Sequence, residues 1–562
     1  MTTTSTTASA DASSLAAALH HRMQRPQRHR LLQGYPALPL MGPAVGPTEA
    51  PDPDPHNLYA HAALRRISGE LVDERASRAA IALKEWDFKP KDPNPDALDV
   101  QFQTLGQHQR KQLEAQAALP CLAEPPLLNV DRGRALIVGV LPHTQCIPRV
   151  EGCGFCTFPH DAPGAYDKRK LTTNVVDDIR TVLSAEPEAL QGRAVDAVYF
   201  GGGTANLTPI DDLRSLFDAL ARGFDLRNAE VSLEGIPKLF TSWFYEQLKM
   251  MVAWPVRRRR ISMGIQTFDS RFIEMMGRQS FGDQSLIRKL VKKCRSMDIG
   301  TSGDLLFNLP GQTATAMADD VDRALDCGLD QICLYNLVLY KGLGTLWSEI
   351  PKLVDAMPGN DEACAHWLHL RARLIAAGYV QTTLTNFERS DVAGDRAFVY
   401  ERASFSPDRT DGVGFGPLSI SSFVDPAAQK GVKLVRRKDM QASPWSGGDL
   451  YYAYGPAELR VLFVTRSLAK TSFSRAAYQA MFHADVADDF PASFSVLENG
   501  DLLAHDRSDD VVSLTPRGMF YSDSVVATFA AEQNIESARA LGLHTTKLLA
   551  ERLQTADYFG MG

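Results

Sequence analysis

Residues 135–156 read ALIVGVLPHTQCIPRVEGCGFC, an apolar run of strand length that leads into three closely spaced cysteines. Cys146, Cys153 and Cys156 fall within eleven residues, and the last two form a Cys-x-x-Cys pair. Thiolates this close can share one soft metal centre, and iron–sulfur clusters are usually held by cysteine. The spacing leaves three interpretations: a 4Fe–4S cluster with one iron open to a small molecule, a zinc site completed by His143 or His160, or a redox-active pair.

Beyond this stretch, the chain alternates between apolar runs of strand length and amphipathic helical patterns. Six such strand–helix units can be counted over residues 135–350. This alternation predicts a parallel sheet with right-handed crossovers. Six units suit a partial (β/α)6 barrel, although an open, doubly wound sheet would show the same pattern.

Polar or unusual residues stand where the predicted strands end. The turn 201–204 follows the second strand, Glu234 ends the third, Gln266 ends the fourth, and Asp304 lies within the fifth. Parallel α/β folds bind ligands at the carboxyl ends of their strands. We therefore expect these residues and the cysteine loop to meet at one mouth, an arrangement that a zinc knuckle would not need.

Composition narrows the class of protein. A chain of 562 residues exceeds one folding unit. A net charge of −7 and the lack of a long basic stripe argue against a nucleic-acid partner. The short run 257–260 (RRRR) is interpreted as a solvated strand entry, with an anion site as the alternative. Eight cysteines without a disulfide pattern favour a reducing compartment. With no apolar stretch long enough to span a membrane and no secretory signal, the expected location is the cytoplasm.

The chain divides into four predicted regions. Residues 1–56 are rich in Thr, Ser, Ala and Pro and predict a disordered extension, and residues 57–130 carry helical patterns. Residues 131–355 hold the strand–helix units. Residues 356–545 are predicted to form an α+β domain that covers the open side of the barrel.

A set of ordered motifs resembles the radical S-adenosylmethionine (SAM) superfamily, in the branch typified by oxygen-independent coproporphyrinogen III oxidase (HemN). The resemblance runs over roughly residues 135–530. It rests on YFGGGT (199–204), VSLEGIP (231–237), RISMGIQTF (260–268), GRQ (277–279), DLLFNLPGQT (304–313), LYNL (334–337), GVGFGP (412–417) and LTPRG (514–518).

This resemblance implies a role for ten residues. Cys146, Cys153 and Cys156 would hold three irons of a 4Fe–4S cluster, and the fourth iron would bind the methionine part of SAM. The remaining seven would contact SAM: Gly202, Gly203 and Thr204 near the methionyl amino end, Glu234 at the amino group, Arg278 at the carboxylate, and Gln266 and Asp304 at the ribose hydroxyls.

The implied chemistry is reductive cleavage of SAM to a 5′-deoxyadenosyl radical, which abstracts hydrogen from a small organic substrate. It implies an electron donor such as flavodoxin or ferredoxin, and neither nucleic acid nor membrane as partner.

Three departures separate this chain from HemN. The cluster motif is Cys-x6-Cys-x2-Cys instead of Cys-x3-Cys-x2-Cys. The Tyr and His that precede the first cysteine in HemN become Val138 and Val140, and Thr157 stands where HemN has a further cysteine. These losses favour relatives that transfer a methyl or other one-carbon group, the class C radical SAM enzymes, with two SAM molecules as a possibility. Coproporphyrinogen III oxidation and a HemW-like haem carrier are the alternatives.

Overall fold

The computed structural model describes residues 130–532 with short gaps, which are 157, 159, 186, 338, 340–344, 395–396, 436–449, 505–509, 523–524, 527–528 and 530–531. The predictions for residues 1–56 and for 57–129 lie outside the described residues. So does the end of the predicted C-terminal domain, residues 533–545.

Six parallel strands form the centre of the described structure. They are β1 (Ala135–Val140), β2 (Ala197–Phe200), β3 (Glu230–Gly235), β4 (Arg258–Gln266), β5 (Gly300–Phe307) and β6 (Gln331–Asn336). Each strand pairs in parallel with the next one along the chain. The predicted α/β fold with six parallel strands is confirmed.

Helices connect and cover these strands. The described helices, in chain order, are α1 (Lys168–Ala185), α2 (Pro187–Leu190), α3 (Ile210–Gly223), α4 (Pro237–Phe240), α5 (Ser242–Ala253), α6 (Ser270–Met275), α7 (Gln284–Arg295), α8 (Ala314–Cys327), α9 (Pro351–Asp355), α10 (Asn360–Ala376), α11 (Tyr400–Ser404), α12 (Pro456–Ser467), α13 (Arg475–Phe482), α14 (Val486–Asp489), α15 (Pro491–Asn499) and α16 (Pro516–Phe520). Within the described ranges, none of them is long and apolar enough to cross a membrane.

The core lies between the helices and one face of the sheet. On α3, Leu213, Leu216 and Leu220 are fully buried, because a spacing of three and four residues places them on one helical face. They pack with Val138 and Val140 of β1 in the same apolar cluster. Alternate residues of the strands therefore point away from this core, toward the inner side of the sheet.

The C-terminal strands extend the same sheet at both edges. They are β7 (Tyr379–Gln381), β8 (Asn386–Arg389), β9 (Thr410–Phe415), β10 (Ile420–Asp425), β11 (Lys430–Val435) and β12 (Leu450–Tyr454). Strand β9 pairs in parallel with β1, whereas β8 is antiparallel to β6. Across the described residues, the order β12-β11-β10-β9-β1-β2-β3-β4-β5-β6-β8-β7 is open at both ends. The predicted domain boundaries stay predictions.

A separate small sheet lies near the end of the described chain. It consists of β13 (Ser472–Ser474), β15 (Val511–Leu514) and β14 (Leu503–Ala504), in that order. The LTPRG motif connects β15 to α16. Its Thr515 caps this helix by accepting a hydrogen bond from the Gly518 amide.

A buried ionic contact ties β9 to the start of β1. Asp411 on β9 accepts from Arg134 Nε at 3.0 Å and from Arg193 Nη2 at 2.7 Å. All three side chains are buried, so the two guanidinium groups offset the cost of removing the carboxylate from water. The contact lies at the amino end of these strands, opposite the cysteine loop.

Candidate functional site

The predicted site residues lie at the carboxyl ends of the parallel strands. The cysteine loop follows β1, the glycine turn 201–204 follows β2, and Glu234 is the penultimate residue of β3. Gln266 ends β4, and Asp304 lies in β5, where it pairs with Gly264 of β4. Parallel pairing brings these strand ends to one edge of the sheet, as the sequence predicts.

The first cysteine, Cys146, lies in a loop that is held by hydrogen bonds between its own segments. The Cys146 amide donates to the Asp161 carbonyl at 2.9 Å, and the Asp161 amide donates to the Thr144 carbonyl at 2.9 Å. The Thr144 hydroxyl also donates to the Asp161 carboxylate at 2.5 Å. From the next strand end, the Thr204 hydroxyl donates to Cys146 Sγ at 3.6 Å. Cys146 is thereby held against the glycine turn that follows β2.

The second cysteine occupies a left-handed turn between two glycines. The φ angles of Gly152, Cys153 and Gly154 are 53°, 53° and 84°. A Cβ atom on Gly154 would lie 2.0 Å from Trp347 Nε1, so a side chain has no room there. For a residue other than glycine, left-handed backbone costs roughly 1–2 kcal/mol. In this strained conformation, Cys153 Sγ accepts a hydrogen bond from Arg278 Nη1 at 3.3 Å.

The six residues between Cys146 and Cys153 contact a distant segment of the chain. The Arg149 amide donates to the Gly277 carbonyl at 3.2 Å. A Cβ atom on Gly277 would lie 2.6 Å from the Val150 backbone nitrogen, so the two segments touch at backbone distance. The six intervening residues thus reach the segment that carries Arg278.

The three cysteines of the loop, Cys146, Cys153 and Cys156, fit a cationic group that binds thiolates. Burial raises the pKa of Cys146 to about 12 and raises the pKa of Cys156, so these thiols stay protonated unless a cation compensates them. Among the described residues, no three His, Cys, Asp or Glu side chains converge closely enough to hold a single metal ion. A 4Fe–4S cluster would be such a cationic group, with each thiolate on a different iron, and it stays a prediction for these three cysteines.

The two histidines proposed as a fourth zinc ligand already make local contacts. His160 Nδ1 is 2.8 Å from the Phe158 carbonyl oxygen. His143 Nδ1 accepts a hydrogen bond from the Gln145 amide at 3.2 Å. Both contacts use Nδ1, and a metal-ligating histidine also hydrogen-bonds its surroundings through its second nitrogen, so these contacts do not distinguish a cluster from zinc.

The glycine turn after β2 packs directly on the cysteine loop. Gly202 has a φ of 113°, and a Cβ atom on Gly203 would lie 2.4 Å from the Thr144 carbonyl oxygen. The missing side chains let the two loops touch. An approach of these glycines to the methionyl end of SAM remains a prediction.

Two carboxyl groups face the mouth, Asp304 buried and Glu234 half-buried. Burial raises the pKa of Glu234 to about 8, with a further contribution from the negative charge of Asp304. Burial also raises the pKa of Asp304 to about 7. Tyr199 donates to Glu234 Oε2 at 3.5 Å, while Asp304 Oδ1 has no hydrogen-bond partner among the described residues. Such a pair suits a cationic ligand with hydroxyl groups, because both would stabilise the ionised carboxylates.

Gln266 and Arg278 meet over Gly264. A bulge after Gly264 and a φ of 72° turn Gln266 out of the strand, and its Nε2 lies 2.9 Å from where a Gly264 Cβ would be. Arg278 donates to the Gly264 carbonyl and stacks on Phe281 at 4.2 Å from the ring centroid. Arg278 therefore uses two donors on protein acceptors, and its expected pairing with the SAM carboxylate stays a prediction.

The interpretation of the arginine run as solvated is wrong for its last member. Arg260 is 1% exposed and pairs with Glu401 at 2.5 Å below the mouth. Its guanidinium carbon is 5.6 Å from the ring of Tyr199, which stacks on Tyr400 at 4.8 Å. The alternation of β4 was a usable signal, because Arg260, Ser262 and Gly264 share the inward face.

Comparison with known proteins finds relatives of similar sequence over part of the chain. No protein-family model matches the chain. The chain is 26% identical over 305 residues to the bovine radical S-adenosyl methionine domain-containing protein 1, mitochondrial, covering 54% of this chain and 65% of that protein. It therefore spans just under two thirds of the length of this relative.

Two cyanobacterial relatives match over similar segments. Oxygen-independent coproporphyrinogen III oxidase of Synechocystis is 25% identical over 370 residues, which covers 62% of this chain and 76% of that protein. The heme chaperone HemW of Synechocystis is 26% identical over 243 residues, which covers 42% of this chain and 56% of that protein.

A solved structure shares the fold. Coproporphyrinogen III oxidase (HemN) from Escherichia coli, described as a radical SAM enzyme, aligns with a TM-score of 0.57 and 18% identity over 71% of this chain and 91% of that chain. By sequence the chain is therefore similar to radical SAM proteins of the HemN- and HemW-like branch, and it shares the fold of HemN.

Proposed function

We propose that the chain is an enzyme that cleaves SAM reductively and uses the product to modify a small organic molecule. Cys146, Cys153 and Cys156 would hold a 4Fe–4S cluster. One observation carries the proposal: three thiols and two carboxyls gather at the carboxyl ends of the parallel strands, and burial raises the pKa values of two of the thiols, Cys146 and Cys156, and of both carboxyls.

When bound, the cluster and SAM supply one-electron cleavage of the sulfonium and a 5′-deoxyadenosyl radical. The protein's part is to bind, orient and exclude water. Glu234 is proposed to accept from the methionyl ammonium, and Asp304 with Gln266 from the ribose hydroxyls. Trp347 is buried against Phe155, with ring centroids 5.7 Å apart, and this contact keeps water from the turn that carries Cys153.

The proposed reaction is transfer of a methyl or related one-carbon group, with a second SAM molecule as the carbon donor. Support comes from β1, where Val138 and Val140 stand in place of the HemN Tyr and His and are fully buried in the apolar core. Both side chains face the helices and not the site, so this support rests on the sequence difference from HemN. The loss argues against coproporphyrinogen as the substrate.

Anaerobic incubation of the iron-loaded chain with SAM and dithionite tests the proposal. We expect 5′-deoxyadenosine, and S-adenosylhomocysteine beside it if a methyl group is transferred from a second SAM. Without 5′-deoxyadenosine from the iron-loaded chain, the proposed cleavage would be wrong.

The named relatives support two other candidates. Oxidative decarboxylation of coproporphyrinogen III is supported by the match to the oxidase, and haem delivery by the match to HemW. Conversion of coproporphyrinogen III under the same anaerobic conditions would favour the first. Stoichiometric haem binding without SAM cleavage would favour the second.

The partner and the location are also proposals. Reduction requires an electron donor, for which we propose a flavodoxin or ferredoxin, and we propose no nucleic-acid partner. A cytoplasmic location is proposed because clustered thiols need a reducing compartment, whereas the bovine relative is named as mitochondrial. Cell fractionation with an antibody to the chain distinguishes the two compartments.

A further inference from the structure

Two aromatic side chains stand almost fully in solvent at the start of α5. Trp243 is 83% exposed and Phe244 is 85% exposed. Together with Tyr245 they adopt left-handed backbone, with φ angles of 47°, 54° and 63°. Each such residue costs roughly 1–2 kcal/mol. A strained turn that presents two large apolar side chains to water is a feature of binding surfaces.

A strongly basic helix lies beside this turn. The twelve residues of α7 (QSLIRKLVKKCR) include five basic and no acidic side chains. Lys293 Nζ is 5.8 Å from the ring centroid of Tyr245, and Lys289 lies one turn away on the same helical face. On the aromatic side, Lys238 and Lys249 are exposed, with Glu246 as the exposed acidic neighbour in α5.

We call the group formed by Lys238, Trp243, Phe244, Lys249, Lys289 and Lys293 the aromatic–basic surface. It stands out because the whole chain has a net charge of −7. A local positive field on an acidic protein selects acidic partners and accelerates their encounter. Tryptophan and other aromatic side chains are frequent anchors at protein interfaces.

A short chain of contacts joins this surface to the cysteine loop. The Lys238 amide donates to the Phe281 carbonyl at 2.9 Å. Phe281 stacks on Arg278 at 4.2 Å, and Arg278 donates to Cys153 Sγ at 3.3 Å. The turn 243–245 also follows the carboxyl end of β3, the strand that carries Glu234.

We propose that the aromatic–basic surface docks an acidic one-electron carrier protein of the flavodoxin class. The inference rests on the proposed function, since only a reductive reaction needs such a donor. On transfer, the reduced flavin of the carrier loses one electron and the acceptor held by the cysteines gains it. No covalent bond forms or breaks at the docking surface.

The test measures binding of an acidic bacterial flavodoxin to the iron-loaded chain. Lys289→Glu/Lys293→Glu should raise the dissociation constant about tenfold or more at low ionic strength, and the difference should shrink as added salt screens the charges. Trp243→Ser/Phe244→Ser should weaken binding at every salt concentration, because apolar contacts are not screened. Arg222→Glu/Lys430→Glu is the matched control, since both side chains are exposed and lie outside the surface.

A second measurement separates docking from catalysis. With dithionite as reductant, all variants should form 5′-deoxyadenosine at the wild-type rate, whereas with reduced flavodoxin the surface variants should be slower. Equal flavodoxin affinity in all variants, or a wild type that does not bind flavodoxin, overturns the docking surface. Loss of anionic-vesicle binding or of self-association in the surface variants, with flavodoxin affinity unchanged, overturns it as well. Lack of 5′-deoxyadenosine from wild type with dithionite contradicts the proposed function instead.

Discussion

The site holds two carboxyl groups, the buried Asp304 and the half-buried Glu234, whose ionised forms are disfavoured. Glu234 and Asp304 have raised pKa values of about 8 and about 7, mainly because burial disfavours their ionised forms. In the unfolded chain both would ionise near pH 4. The folded chain therefore holds protons that the unfolded chain releases, and it loses stability as the pH rises from about 4 toward 7 and 8.

Replacing Asp304 by Asn should therefore stabilise the metal-free chain at high pH. At pH 8 we expect a gain of up to roughly 4 kcal/mol, since the shift is about three units and each unit corresponds to about 1.4 kcal/mol. At pH 4 the gain should nearly vanish, because the carboxyl is protonated in the folded state and partly so in the unfolded one. Thermal unfolding midpoints at the two pH values measure the effect.

Asp211→Asn is the control, because the Asp211 side chain is 85% exposed. It should change the midpoint little at either pH. If Asp304→Asn shifted the midpoint equally at both pH values, burial of the charged form would not be the cause.

At the level of elements, the turn around Cys153 is the part of the site with the least freedom. Gly154→Ala would add a Cβ atom 2.0 Å from Trp347 Nε1 and would also strain the backbone. We expect a severe loss of iron binding, read from the absorbance of the reconstituted chain, because Cys153 could no longer keep its position.

Gly164→Ala provides a matched comparison. Gly164 has nearly the same φ, 83° against 84°, but a Cβ atom there would meet nothing within 4 Å. It should cost only the backbone strain, roughly 1–2 kcal/mol, and leave iron binding intact. Equal iron loss in both variants would show that backbone strain, and not the contact with Trp347, governs the turn.

The sequence predicts the regular elements well because their signals are local. Apolar runs mark β1 to β6, and the spacing of Leu213, Leu216 and Leu220 marks the buried face of α3. The gathering of Glu234 and Asp304 follows from parallel pairing. The burial of Arg260 was missed, because its partner Glu401 lies 141 residues away along the chain.

Other features depend on contacts that no local pattern carries. Trp347, almost two hundred residues later in the chain, fills the space next to Gly154 and leaves no room for a side chain beside Cys153. The six-residue gap before Cys153 contacts Gly277, more than a hundred residues later in the chain. Trp243 and Phe244 are exposed, although large apolar side chains are expected to be buried. Only the structure shows this exposure.

Across the whole molecule, Asp411 joins the C-terminal strands to the first parallel strand. Asp411→Asn would leave Arg193 buried without a full counter-charge, since Arg193 is 2% exposed. Breaking a buried pair costs about 3–5 kcal/mol, and we expect a loss of that order in denaturant unfolding.

The exposed pair of Arg180 and Asp177 serves as the control for this loss. Asp177→Asn should change stability by less than about 1 kcal/mol, as is usual for solvated pairs. A small loss for Asp411→Asn would mean that the C-terminal strands are held by other contacts.

Metal content and SAM cleavage, measured together on the anaerobically purified chain, test whether Cys146, Cys153 and Cys156 hold the proposed cluster. We predict about four iron atoms per chain, as one 4Fe–4S cluster requires, and 5′-deoxyadenosine on addition of SAM and dithionite. Cys153→Ala should lose the product. Stoichiometric zinc without iron, a metal-free redox pair at Cys153 and Cys156, or full activity of Cys153→Ala would contradict the assignment.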